Sequence, residues 1–177
     1  MTFTYGSNHQ AREFEAAKEI CKRLGVKQIV VDLPFIKQHF KSSLLDNGGT
    51  SYIVPFRNGI MTSIAAGIAD SNNIDTLILT THSTDAGCFP DCTEKFDIYM
   101  KSAIAAGTAS SVQLEIPYQK HPKSKIVEVG SRLNVPFELT YSCYKGGEKH
   151  CGKCPTCIER KKAFELAGIN DPTEYEV

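Results

Sequence analysis

Four cysteines lie within fifteen residues toward one end of this 177-residue chain, and no other feature constrains the fold as tightly. Cys143 is followed by seven residues and then by two consecutive Cys-x-x-Cys steps, through Gly152-Lys153 to Cys154 and through Pro155-Thr156 to Cys157. The tight turn of such a step brings two sulfurs to one ion at ~2.3 Å, with backbone amides donating to them. Gly146, Gly147 and Gly152 supply the turning freedom. Four thiolates around a zinc dication leave excess negative charge, and Lys145, Lys149, His150, Lys153 and Arg160 lie close in sequence to offset it. The spacing favours a structural zinc at Cys143, Cys151, Cys154 and Cys157; an iron–sulfur cluster also accepts four cysteines, and reduced thiols without metal are the plain alternative. With every position filled by sulfur no site remains for water, so the ion is expected to hold the fold rather than do chemistry.

The remaining composition describes an ordinary folding domain. Hydrophobic residues make up 41% of the chain, enough for a core. Lys plus Arg and Asp plus Glu balance at 20 each, which leaves no overall drive toward nucleic acid or an anionic membrane surface. No apolar run approaches the ~20 residues of a membrane span, and Met1 to Lys18 lacks the pattern of a secretory signal. The cytosol is the expected compartment, where a cysteine cluster reads as metal chemistry before disulfides.

Along the chain, strand and helix patterns alternate. Thr2 to Tyr5 is β-prone and closes at Gly6-Ser7-Asn8; Phe14, Ala17, Cys21 and Leu24 then mark a helix from Gln10 to Leu24, with Gly25 placed for a left-handed cap. Gln28 to Leu33 reads as a strand ending at Pro34. Ile60, Met61, Ile64, Ala65 and Ile68 mark a second helix that Asn58 is placed to cap, and Thr76 to Thr81 reads as a buried strand. Asp91 with Glu94 suggests a capping box ahead of Phe96, Met100 and Ala103. Val112, Leu114 and Ile116 alternate, Ile126, Val129 and Leu133 suggest a fourth helix, and a last one starts at Pro155 and stops at Gly168. Such alternation favours an open, mostly parallel sheet covered by helices, with a ligand crevice beyond the carboxyl ends of the strands. Phe40 to Tyr52 and Tyr141 to Cys157 read as loops. The chain divides into a main part, residues 1–140, and a cysteine-bearing segment with its helix, residues 141–177, of the same domain. Of the other cysteines, Cys21 reads as a core thiol on the first helix, while Cys88 and Cys92, separated by Phe89-Pro90-Asp91, have no base nearby in sequence to mark a nucleophile.

Several strings in order resemble one family. They are Val54-Pro55-Phe56-Arg57-Asn58-Gly59-Ile60-Met61; Asp85 with Phe89-Pro90-Asp91-Cys92; Lys123 to Gly130; Tyr141-Ser142-Cys143-Tyr144 with the three later cysteines; and Arg160 with Ala163-Phe164, Gly168 and Asp171-Pro172. The chain is similar in these, nearly end to end, to the 7-cyano-7-deazaguanine synthases. That resemblance implies a Rossmann-like fold of the adenine nucleotide alpha hydrolase kind, with helices on both faces of a parallel sheet and a C-terminal four-cysteine zinc segment. It implies an ATP-dependent ligase of queuosine biosynthesis, a homodimer, that converts 7-carboxy-7-deazaguanine and ammonia to the nitrile through an adenylated carboxylate, with magnesium accompanying ATP.

Carried over by residue, the resemblance makes Cys143, Cys151, Cys154 and Cys157 the zinc ligands and Arg57, Asn58, Asp85 and Asp91 substrate-binding positions. An arginine fork suits a carboxylate or phosphate, and Asn58 offers an amide to a base edge or caps its helix. Tyr5 and Gly6 fall where backbone meets adenine, and Lys123 falls at a helix start facing phosphate. No residue is assigned as catalytic.

The family's opening strand and Ser-Gly-Gly-x-Asp-Ser phosphate loop have no counterpart in these residues, which begin at the family's second strand. Removing an internal strand leaves its neighbours ~9.6 Å apart, twice the usual ~4.8 Å. Three readings follow: a start placed too far downstream, a separate chain supplying the piece, or a sheet that has closed up and no longer binds ATP in the family manner. Under the last, the chain is a zinc-stabilised module that binds a nucleobase or a partner without turnover.

Overall fold

The computed structural model describes residues 1–176. In chain order its elements are β1 (Thr2–Thr4), α1 (Gln10–Leu24), β2 (Val30–Asp32), α2 (Pro34–His39), α3 (Arg57–Ser71), β3 (Thr76–Ile78), α4 (Glu94–Gly107), β4 (Gln113–Glu115), α5 (Lys123–Arg132) and α6 (Pro155–Ala167), with 3₁₀ turns at Pro90–Cys92 and Phe137–Leu139. It is an α/β protein with parallel strands. Two compact units are present, one of Met1–Val54 with the residues from Val127 onward, the other Pro55–Ile126. No helix among the described residues is long and apolar enough to cross a membrane.

In the first unit β1 and β2 pair in parallel, Phe3 opposite Val31, with α1 as the crossover. Gly25 ends α1 at φ 64° and its amide reaches Cys21 and Lys22 carbonyls, as its glycine predicts. Yet no residue of α1 is fully buried, Leu24 is 62% exposed and Cys21 is only half-buried, so the expected core thiol is corrected. The physical reason is width. Two strands ~4.8 Å apart cover too little of a helix ~10 Å across. Pro34, expected only to end a strand, is the first-turn proline of α2. The loop after α2 folds on itself: Asn47 bridges the Phe40 and Lys37 carbonyls at 2.6 and 3.1 Å, and a Cβ on Gly49 would stand 2.2 Å from the Ser42 nitrogen. Leu44 and Leu45 are buried beneath it. The cysteine segment belongs to this same unit.

In the second unit β3 and β4 pair in parallel, Leu77 opposite Leu114. Ala66 and Ala69 of α3, Met100 and Ile104 of α4 and the alternating Val112, Leu114 and Ile116 close over one another as its core. Asp70 ties the end of α3 to the segment before β4 by accepting from the Ala109 and Ser110 amides at 3.1 and 2.8 Å. Three expectations are corrected here. β3 is shorter than Thr76 to Thr81 and is not buried, with Ile78 63% exposed. The N-cap of α3 is Phe56, not Asn58, and that of α4 is Thr93, whose hydroxyl accepts from the Phe96 amide, not Asp91. Among the described residues the strands pair as β1 with β2 and β3 with β4, each pair within one unit.

One ion pair organises the cysteine side of the first unit. Arg160 of α6 is buried, and its Nε and Nη2 donate to Asp171 at 3.1 Å each. It also donates from Nη1 to Thr140 Oγ1 at 2.7 Å and from Nη2 to the Phe137 carbonyl at 3.2 Å, while the guanidinium lies 5.0 Å from the Phe164 ring centroid. Asp171 also accepts from the Tyr175 hydroxyl at 2.6 Å and the Thr173 amide at 3.1 Å. Arg160 thus pairs with Asp171, and Lys149 with Glu174. Burial works against the Asp171 carboxylate, but these donors outweigh it and hold its pKa below the ordinary value. Asp171→Ala is expected to cost about 3–5 kcal/mol, because it strands a buried cation. With a depressed folded pKa, the stabilisation is full above pH ~4 and lost as pH falls through the folded value, so wild type and Asp171→Asn should converge in thermal midpoint at acid pH. Calorimetry across pH 2–7 tests both.

Candidate functional site

The cysteine segment gathers its four sulfurs as the spacing predicts. All four lie within 4.8 Å of one another, and Cys143 and Cys154 stand 4.0 Å apart. A tetrahedron with ~2.3 Å metal–sulfur bonds has edges of about 3.8 Å, so the cage fits one ion with little movement. Backbone amides of Lys145 and Cys151 point at the Cys143 sulfur, both at 3.4 Å, and that of Cys154 at the Cys151 sulfur at 3.3 Å. Burial opposes ionisation at Cys154 and Cys157. At Cys154, hydrogen bonds from Thr156 and from backbone amides overcome it and bring the thiol to about 6, while burial and the neighbouring sulfurs push Cys157 up. A dication bound in the cage would favour the ionised form of its sulfurs.

The cage also reaches the loop after β1. Gly146 sits at φ 72°, and a Cβ there would stand 2.4 Å from the Asn8 carbonyl oxygen. Tyr144 packs between the buried His9 ring, 5.4 Å between centroids, and the half-exposed Tyr52 ring, 5.2 Å and near-parallel. Tyr5 and Gly6, expected at adenine, lie at the start of this loop; both of their amides donate to Gln10 Oε1, and Gly6 adopts φ 84° with no room for a Cβ beside Lys37.

A second cluster is built in the other unit at the amino end of α3. Phe56 precedes the helix at φ 53°, a left-handed conformation that costs a residue with a side chain about 1–3 kcal/mol. Its ring packs edge-on against Phe96, 5.9 Å between centroids, in the space that a Cβ on Gly59 would enter. α3 has no side-chain cap of its own and no acidic residue in its first turn. Asp91 supplies that cap from the 3₁₀ turn: its Oδ2 accepts from the Asn58 amide at 2.8 Å. The Asn58 side-chain amide donates back to the Asp91 carbonyl and to the Cys92 sulfur, both at 3.2 Å. Arg57, Asn58 and Asp91 are thus brought together.

Burial pushes the Cys92 thiol up to about 12, with Asp91 and Asp85 adding to it, so this sulfur stays protonated and is no nucleophile at neutral pH. Asp85 pairs with His82 at 3.3 Å. Lys123 opens α5, where its amide meets the Thr84 hydroxyl at 3.3 Å. Thr80 and Thr81, expected in the strand, instead open the polar run Thr80-Thr81-His82-Ser83-Thr84 after β3, and a polar run beyond the carboxyl end of an apolar strand is the signal that marks ligand-facing loops. His9 was missed for want of any periodic signal. Asp97 of α4 carries no periodic signal either: it is 3% exposed, and its carboxylate lies beside the Thr81 hydroxyl. Burial pushes Asp97 up to about 6 against the pull of Lys101.

Residues 1–168 match the family described as "Queuosine biosynthesis protein QueC". A 7-cyano-7-deazaguanine synthase of Porphyromonas gingivalis is 43% identical over 188 aligned residues, which take in 99% of this chain and 86% of its own. The synthase of Desulfotalea psychrophila is 39% identical over 100% of this chain and 86% of its own length. That of Methanobrevibacter smithii is 34% identical over 99% and 86%.

Asp97 generates a prediction of its own. Its folded pKa lies above the unfolded value, so it weakens the fold as pH rises through about 6. Asp97→Asn is expected to gain about 1–3 kcal/mol over wild type at pH 8 and nothing at pH 4, read as the pH dependence of urea midpoints.

Proposed function

The chain belongs to the QueC family, and on that premise we propose that it is a ligase-type enzyme of queuosine biosynthesis that turns 7-carboxy-7-deazaguanine and ammonia into 7-cyano-7-deazaguanine at the expense of ATP. In this reading the substrate carboxylate attacks the α-phosphorus of ATP and pyrophosphate leaves. Ammonia then displaces AMP to give the amide. A second adenylation, now on the amide oxygen, is followed by loss of AMP and a proton to give the nitrile.

The observation that carries the reading is the Arg57 turn, held in its geometry by Asp91, Asn58 and the left-handed Phe56. An arginine leaving the amino end of a 15-residue helix suits an anion, since its planar fork and the helix terminus act together. Arg57 is proposed to hold the carboxylate or the phosphate replacing it, and Asp85 the donor edge of the base. Asn58 and Asp91, tied to each other, stand behind them. Lys123, at the positive end of α5, is proposed for phosphate, and Tyr5 and Gly6 for adenine through atoms other than their occupied amides. Asp85 has the hard oxygen donors that a magnesium ion accompanying ATP would take. Zinc is the proposed occupant of the sulfur cage, held by Cys143, Cys151, Cys154 and Cys157; bound there, it supplies rigidity. A homodimer is the proposed assembly.

Purified chain incubated with ATP, Mg²⁺, ammonium and 7-carboxy-7-deazaguanine is expected to release AMP and nitrile. Folded protein that binds the base without forming AMP would replace the enzyme with a non-catalytic binder. Metal analysis should find about one zinc per chain, and Cys154→Ser about none, with a thermal midpoint lower by several degrees; brown protein carrying iron would overturn zinc.

A further inference from the structure

We infer that Asp91 is a positioning residue: it fixes the first turn of α3 and thereby the direction in which Arg57 leaves the helix, without itself touching substrate. The inference rests on the proposed role of Arg57 as the anion-holding group. Two features of the structure require an outside support at this turn. Phe56 holds a left-handed conformation, and the helix that follows has neither a capping side chain nor a first-turn acid. Arg57 sits between that strained residue and Asn58, so its backbone direction depends on what holds Asn58. Two bonds do so, Asn58 amide to Asp91 Oδ2 at 2.8 Å and Asn58 Nδ2 to the Asp91 carbonyl at 3.2 Å, and a third from Nδ2 reaches the Cys92 sulfur.

Asp91 is only 8% exposed, and its carboxylate is aimed at backbone. What the turn needs from it is an acceptor oxygen in the right place. A negative charge is not required, and that separates this role from direct contact with the base or with magnesium, for which the charge is essential.

The test compares Asp91→Asn with Asp91→Ala in the ligase reaction of the full chain. Asparagine keeps an acceptor oxygen on the same stem, so Asp91→Asn is expected to stay within about threefold of wild type in kcat/KM, while Asp91→Ala loses about 100-fold, the penalty of a misplaced reacting geometry. Amide hydrogen exchange at Asn58 should remain slow in wild type and Asp91→Asn and become fast in Asp91→Ala. If Asp91→Asn is as impaired as Asp91→Ala while its Asn58 amide stays protected, the carboxylate charge touches ligand or ion and the inference is wrong. Should Asp91→Ala fail to fold, Asp91→Asn decides by the same two readings. Wild-type chain without ligase activity removes the proposed function and this inference with it, whereas active wild type with an inactive, protected Asp91→Asn removes the inference alone.

Discussion

Gathering four sulfurs into a space less than 5 Å across is the constraint on which the first unit depends. In the segment that carries them the cysteines form a buried cluster of their own, with Tyr141, Tyr144 and Tyr175 packed around them, while Ala163 and Phe164 of α6 pack separately against Val127. Two connections spread this local order. Through Tyr144 and Gly146 the cage fixes the backbone at Asn8 and His9, just past β1. Through Cys154, which is the N-cap of α6, it sets the start of the helix whose Arg160 binds Asp171, Thr140 and Phe137. The cluster thus bears on where neighbouring polar groups stand.

Much of this was legible in the residues. The bounds of α1 came from the three-to-four spacing and Gly25, those of α6 from Pro155 and Gly168, and the burial of Val112, Leu114 and Ile116 from their alternation. The metal-type cluster was legible because its ligands are close in sequence. What escaped depends on partners far along the chain. The cap of α3 comes from a residue 33 positions away, which no local window reveals, and so Asn58 was assigned a role that Asp91 fills. Neither the left-handed Phe56 nor the buried Asp97 carboxylate leaves a periodic trace.

The strands explain the remaining differences. Alternating β and α patterns correctly indicate parallel pairing, because a crossover helix leaves no other convenient arrangement. Burial does not follow from the pattern alone. A β-branched run such as Thr76 to Thr81 is covered on both faces only within a wide sheet, and beside a single partner strand Ile78 stays open to solvent. The same narrowness leaves the apolar stripe of α1 half covered.

The Phe56 ring and the bare Cα of Gly59 occupy one volume between them, with 2.4 Å separating that ring from where a methyl at 59 would be. The two positions therefore cannot drift independently over evolutionary time. Alanine at 59 becomes tolerable only after the ring at 56 has shrunk, and a small residue at 56 forfeits its edge-on partner in Phe96. Lineages that retain the one should retain the other, a coupled inheritance imposed by volume and not by any shared part in the chemistry.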